Sequence, residues 1–175
     1  MPNFTTSTLM ATQNADQVAI TGGTISGTTS ASTVRSTSAL TKNGSAAYSD
    51  VPGLSMTLAA GGIYRISLVL QSTVASGTGG IKYAFNYTNG LTLTSLNTTA
   101  QGFTASAVAV QNASSTTAQA DLFTQAAVVI SVAIEGIIVV NAGGTITVQM
   151  AQNTSNGSDT ITLANSTLQI ARIAA

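Results

Sequence analysis

Apolar and polar residues alternate with a period of two along most of this chain. From Arg65 to Leu70 the order Arg-Ile-Ser-Leu-Val-Leu puts Ile66, Leu68 and Leu70 on one side. Val128, Ile130, Val132 and Ile134 share a side, opposite Val129, Ser131, Ala133 and Glu135. Between Thr145 and Met150 the inward set is Ile146, Val148 and Met150, with Thr145, Thr147 and Gln149 turned out; Leu168 and Ile170 repeat the pattern near the end. Such alternation marks half-buried antiparallel strands, and Thr, Val and Ile suit a pleated surface. The run from Ala126 to Val140 is apolar except for Ser131, Glu135 and Gly136. It is shorter than the roughly 20 residues of a membrane-spanning helix and reads as two adjacent buried strands.

Turn signals punctuate these runs. Asn-Gly stands at Asn43-Gly44, Asn89-Gly90 and Asn156-Gly157, and Gly-Gly at Gly61-Gly62, Gly79-Gly80 and Gly143-Gly144. Both dipeptides accept the positive φ of tight hairpins, so hairpins are expected at these places. The segment from Asn112 to Gln125, with Ser114-Ser115-Thr116-Thr117 inside it, reads as a loop. About nine or ten short strands between Val34 and Ile173 predict an all-β sandwich or barrel. The first 33 residues differ: their apolar side chains are too few to close a core, so residues 1–33 read as an extended N-terminal arm and residues 34–175 as the folded domain. Such an arm gains order by burying Val18, Ile20 and Ile25 in surface shared with neighbours, with Phe4, Leu9 and Met10 as apolar anchors. A solvated tail is the alternative.

Composition narrows the function. The 175 residues contain no His and no Cys, 49 are Ser or Thr, and the five basic and five acidic side chains cancel. Absence of Cys removes disulfides, zinc-thiolate sites and thiol nucleophiles; absence of His removes the Ser-His-Asp triad and imidazole ligands. No metal or cofactor is expected. Charged residues make up 6% of the chain, against ~25% in ordinary soluble proteins, and such a balance gives no electrostatic footprint for nucleic acid or an anionic membrane. It favours association, so the surface is expected to meet copies of itself or a larger assembly. Met1–Thr8 has no basic region followed by an apolar run, so no secretory leader is expected. The abundant Asn-x-Ser/Thr triplets then reflect turn-forming Asn beside plentiful Ser and Thr rather than glycosylation.

Few residues are candidates for chemistry. The acids Asp16, Asp50, Asp121, Glu135 and Asp159 are widely separated, whereas a glycosidase needs two carboxylates flanking a sugar; an enzyme is not expected. Glu135, in the most apolar stretch, is expected to pair with Arg65, Lys82 or Arg172, or to lie at a subunit contact, because an unpaired buried charge costs too much. The Gly-rich spots lack the Lys spacing of a phosphate loop. Tyr83, Phe85 and Tyr87 recur at every second position and, with Tyr64, suggest either a sugar-stacking platform or rings buried around a trimer axis, the second being favoured.

Two stretches resemble known virion proteins. Gln13-Asn14-Ala15 followed by Val18-Ala19-Ile20-Thr21-Gly22-Gly23-Thr24-Ile25-Ser26-Gly27 resembles an N-terminal element of tail-fibre, head-fibre and other accessory virion proteins of tailed bacteriophages. Glu135–Thr145, Gln149–Asn153 and Asn165–Ile173 resemble the jelly-roll that follows in some of them, and Gly62–Ile66 with the final strand is more distantly similar to the trimeric C1q/TNF-like jelly-roll. The resemblance implies an antiparallel jelly-roll β-sandwich, a homotrimer and no catalytic residues. It implies a capsid decoration, or cement, protein on the outer capsid surface of a virion, with the major capsid protein as partner. A head, collar or tail fibre adhesin recognising a host surface glycan is the alternative, and a C1q-like extracellular module a more distant one.

Overall fold

The computed structural model describes residues 31–75 and 78–174, and these form an all-β sandwich of two packed antiparallel sheets without helix. Twelve strands follow one another: β1 (Ala31–Arg35), β2 (Leu40–Lys42), β3 (Ser49–Leu58), β4 (Ile63–Val74), β5 (Ile81–Thr88), β6 (Thr92–Phe103), β7 (Val108–Ser114), β8 (Asp121–Gln125), β9 (Ser131–Ala142), β10 (Gly144–Ala151), β11 (Thr160–Thr162) and β12 (Thr167–Ala174). The large sheet runs β1-β12-β4-β9-β6-β7, with the short β11 and β2 attached beside β4; the small sheet runs β3-β10-β5-β8. Ala31, Ser32 and Thr33, expected in the arm, pair with Ala171, Ile170 and Gln169 of β12. The expected arm otherwise lies outside the described residues.

Four antiparallel pairs of sequence-distant strands define the topology. They are β1 with β12, β3 with β10, β4 with β9 and β5 with β8. Together they make one long two-stranded ribbon folded over on itself, so that successive pairs lie in alternate sheets until β5 and β8 close it within the small sheet. That is a jelly-roll, as expected. The hairpin of β6 and β7 is inserted between β5 and β8 and extends the large sheet beyond β9.

This path changes what the turn dipeptides do. Asn89 and Gly90 have φ of 55° and 82°, and the Leu91 N–H donates to the Thr88 carbonyl at 3.2 Å, a tight reversal as the dipeptide demands. Yet β5 and β6 belong to different sheets. The turn is a corner across the sandwich rather than the tip of a hairpin. Gly61-Gly62 between β3 and β4, Gly79-Gly80 between β4 and β5, and Gly143-Gly144 between β9 and β10 also join strands of opposite sheets. Local chemistry fixes the reversal; burial of the flanking apolar faces chooses the partner strand.

The core fills the space between the sheets. Ile66, Leu68 and Leu70 of β4, Val132, Ile134 and Ile138 of β9, Ile146, Val148 and Met150 of β10, and Leu168 and Ile170 of β12 are all buried there. The apolar run Ala126–Val140 is one long strand preceded by a loop, not two strands. Val129 is buried while Val128 and Ile130 are exposed, the reverse of the expected pattern, because strand pairing begins only at Ser131. The expected loop from Asn112 to Gln125 contains the end of β7 and all of β8, whose Leu122 and Phe123 enter the core.

Gly102 of β6 permits one of these contacts. A Cβ there would lie 2.1 Å from Cζ of the fully buried Phe123 ring. Gly102→Ala is expected to destabilise the protein by ~1–3 kcal/mol through overpacking, read as a lower urea midpoint. Gly157→Ala, where a new methyl meets nothing within 4 Å, should leave the midpoint in place.

Candidate functional site

The register of the large sheet orders its outward side chains into rows. The central row reads Thr33, Gln169, Ser67, Glu135, Thr99 and Asn112 across β1, β12, β4, β9, β6 and β7. A parallel row reads Arg35, Thr167, Val69, Ala133, Gln101 and Val110. Amide and hydroxyl groups join neighbours within the central row: Gln169 Nε2 donates to Thr33 Oγ1 at 3.3 Å and Thr99 Oγ1 to Asn112 Oδ1 at 2.8 Å.

Charge is almost absent from this face. β4, β9, β6 and β7 together carry two ionised side chains, Arg65 and Glu135, and these face each other at 3.5 Å with 62% and 60% exposure. The pairing expected for Glu135 is therefore with Arg65, in solvent rather than in the core, where such a pair adds little to stability. Three shallow depressions of about 360, 230 and 330 Å³ meet at Glu135. The first is lined by Asn97, Thr99, Asn112, Ser114 and Ile137 as well. Val69 and Ile137 are exposed beside them, as are Val108 and Val110 toward β7.

The outer face of the small sheet is finished differently. Ser55 Oγ and Thr147 Oγ1 are 2.8 Å apart, Gln149 Nε2 donates to Asp50 Oδ1 at 2.6 Å, and Gln119 Nε2 donates to Gln149 Oε1 at 3.0 Å. The Tyr48 hydroxyl donates to Asp121, and Lys82 Nζ sits 4.7 Å from the centre of the Tyr48 ring. Here the polar groups satisfy one another. Thr147 and Gln149, expected to point into solvent, are outward but buried beneath this network.

The four aromatic candidates are interior groups of one chain. Tyr83 and Phe85 are fully buried, Tyr64 is buried with its hydroxyl accepting from the Ala59 N–H at 2.9 Å, and Tyr87 is half-buried against the core. The Tyr83 hydroxyl lies 2.8 Å from Ser72 Oγ and 2.7 Å from Thr162 Oγ1. Neither a trimer axis nor a sugar platform can use Tyr83 or Phe85, because the sandwich already covers them. Their spacing continues Ile81 on the same inward face of β5, which is the signal of core. Phe4, Leu9, Met10, Val18, Ile20 and Ile25 lie outside the described residues.

Chemically, the large face offers hydrogen bonds and modest apolar area. Among the described residues no group of three or more acidic side chains is gathered to hold a metal ion. Sequence reasoning missed Asn97, Thr99, Asn112 and Gln169 because each reads as an ordinary solvent-side residue of a strand; the available signal was the lack of Lys and Glu among them. No known family model matches the chain, and no curated protein matches it in sequence.

Burial pushes the Tyr83 hydroxyl up to about 12, with its bonds to Ser72 and Thr162 pulling partly back, and pushes Tyr87 up to about 12 as well. Tyr48 is also raised, by burial first and then by Asp121. The folded chain thus keeps these protons where the unfolded chain, titrating near 10, releases them. Their contribution to stability is complete below pH 10 and declines as pH rises through 12. Denaturation midpoints measured across that window should fall steadily; a flat profile would contradict these environments.

Proposed function

We propose that this protein is a bacteriophage virion component: a homotrimeric decoration, or cement, protein bound to the outer capsid surface through residues 1–33. The observation that carries the reading is the outer face of the large sheet, where β4, β9, β6 and β7 hold a single ion pair and the flanking β1 adds only Arg35. A face so poor in charge is inexpensive to desolvate against protein, since few ions must leave water. The resemblance of Gln13–Gly27 to the N-terminal element of phage accessory proteins adds the virion. The mechanism is non-covalent clamping. Each N-terminal segment reaches over a neighbouring major capsid protein subunit, and joining three of them in one trimer raises the effective concentration of the second and third contacts. In this reading the protein is not an enzyme and uses no cofactor.

One observation favours a second reading, an adhesin of the head, collar or tail. Asn97, Thr99, Asn112, Ser114 and Glu135 around one depression provide donors and acceptors of the kind that match a glycan's hydroxyls. In that case the purified protein binds host cells or polysaccharide, and Asn112→Ala weakens binding.

Deleting residues 1–20 is expected to abolish capsid occupancy while the sandwich still folds, measured by capsid co-sedimentation and circular dichroism. Capsids lacking the protein should rupture at lower temperature or milder osmotic shock. Equal robustness, or a dozen or fewer copies per virion instead of hundreds, would count against a cement role. Light scattering should give three chain masses, and a stable monomer would remove the trimer from the proposal.

A further inference from the structure

The lateral strands of the two sheets are finished unequally, and the short β2, which ends the large sheet beside β11, carries Lys42. β3 contains Pro52 and Gly53 at φ 82° and shifts register against β10. β8 is capped by a side chain: Gln111 Oε1 accepts from the Thr124 N–H at 2.9 Å and Gln111 Nε2 donates to the Thr124 carbonyl, standing where the backbone of another strand would lie. β1 carries Arg35 and is continuous with the chain preceding Ala31. Proline, irregular register, capping and charge are the usual means of preventing one sheet edge from pairing with another.

β7 has none of these. Its sequence is Val-Ala-Val-Gln-Asn-Ala-Ser, and no charged residue occurs from Thr104 to Ala120. Its register against β6 is regular over seven pairs. The Thr104 N–H donates to the Ala107 carbonyl at 2.9 Å and the Ser115 N–H to the Leu96 carbonyl at 3.3 Å, at the two ends of the hairpin. Since hydrogen-bonded pairs alternate along an antiparallel ladder, Ala109, Gln111 and Ala113 bond to β6. The N–H and C=O groups of Val108, Val110, Asn112 and Ser114 therefore point to the open margin. Val108 and Val110 are also 55% and 59% exposed.

We infer that this margin pairs with β7 of a second copy of the chain, antiparallel about a two-fold axis, making one continuous sheet across two molecules. The symmetry selects the occupant. On a two-fold axis every side chain near the centre meets its own copy, so one charge there would repel itself; the uncharged stretch from Thr104 to Ala120 meets that condition. Full overlap sets Val108 opposite Ser114 and Val110 opposite Asn112 of the other copy. The two Val110 side chains are then diagonal neighbours on one face, within contact range for cross-strand pairs. This goes beyond the proposed trimer, because a two-fold joint links one unit to the next.

The test is light scattering of the full chain over a concentration series, with Val110→Lys placing a like charge beside the axis. Wild type should double the mass of its smallest unit as concentration rises, and Val110→Lys should weaken that doubling about tenfold or more without altering circular dichroism. Val110→Pro is the second variant: it removes a donor from the open margin and none from the ladder to β6, and should act alike. Amide exchange at Asn112 should be slow in the doubled species and fast in either variant. Wild type that never doubles, or variants that double as it does, would overturn the inference. A smallest unit of one chain instead of three would bear on the trimer alone and leave the doubling to be read as before.

Discussion

The long ladder between β4 and β9 is the interaction on which the molecule depends. Nine consecutive pairs, from Ile63 with Val139 to Gln71 with Ser131, join segments about seventy residues apart in the chain. Each inward position of that ladder carries a side chain of the core, apart from Gly136 opposite Ile66. β12 aligns on one flank of the ladder and β6 on the other, so both halves of the large sheet take their register from it. A one-residue slip would set Leu68 and Ile134 on opposite sides of the sheet, turning the core residues of one of the two strands outward. Closing so long a loop before the ladder can form makes non-local topologies of this kind slow to fold.

Much of this architecture was legible in the residues, for a plain reason. Ile66, Leu68 and Leu70 lie between polar or exposed neighbours, so their period is unambiguous, and Leu168 and Ile170 behave alike. Period two reports side, however, and not depth. Thr147 and Gln149 are on the outer side of β10 as their alternation says, but they are buried and bonded to Ser55 and Asp50 of β3 and to Gln119 from the loop before β8. Val128 and Ile130 continued an apolar alternation ahead of β9, which begins only at Ser131. Tyr83 and Phe85 had the right face and the wrong owner: their own second sheet buries them. The arrangement of the outer large face was hardest to anticipate, because it depends on registers between strands that sequence spacing does not contain.

The two outer faces divide the few charges between different tasks. On the small sheet Asp50, Lys82 and Asp121 are tied to Gln149, Tyr48 and each other's neighbours, so that surface is internally satisfied. Away from both faces, the buried Gln152 does similar work at one end of the sandwich. Its amide oxygen accepts from the Ser45 and Asn156 N–H groups at 3.0 Å each, and its nitrogen donates to the Ser158 carbonyl at 2.7 Å. One uncharged side chain thereby fixes two loops. A chain with little charge still builds polar order, using amides and hydroxyls where others use ions.

The inserted hairpin has a cost and a benefit in opposite layers. By lending Gln111 to Thr124 it shields the margin of the small sheet, and by adding β7 it creates a fresh one on the large sheet. Without Gln111 the N–H and C=O of Thr124 would be bare. Lengthening or shortening this excursion thus trades stickiness from one layer to the other, and gives evolution a single dial for where such a molecule meets its neighbours.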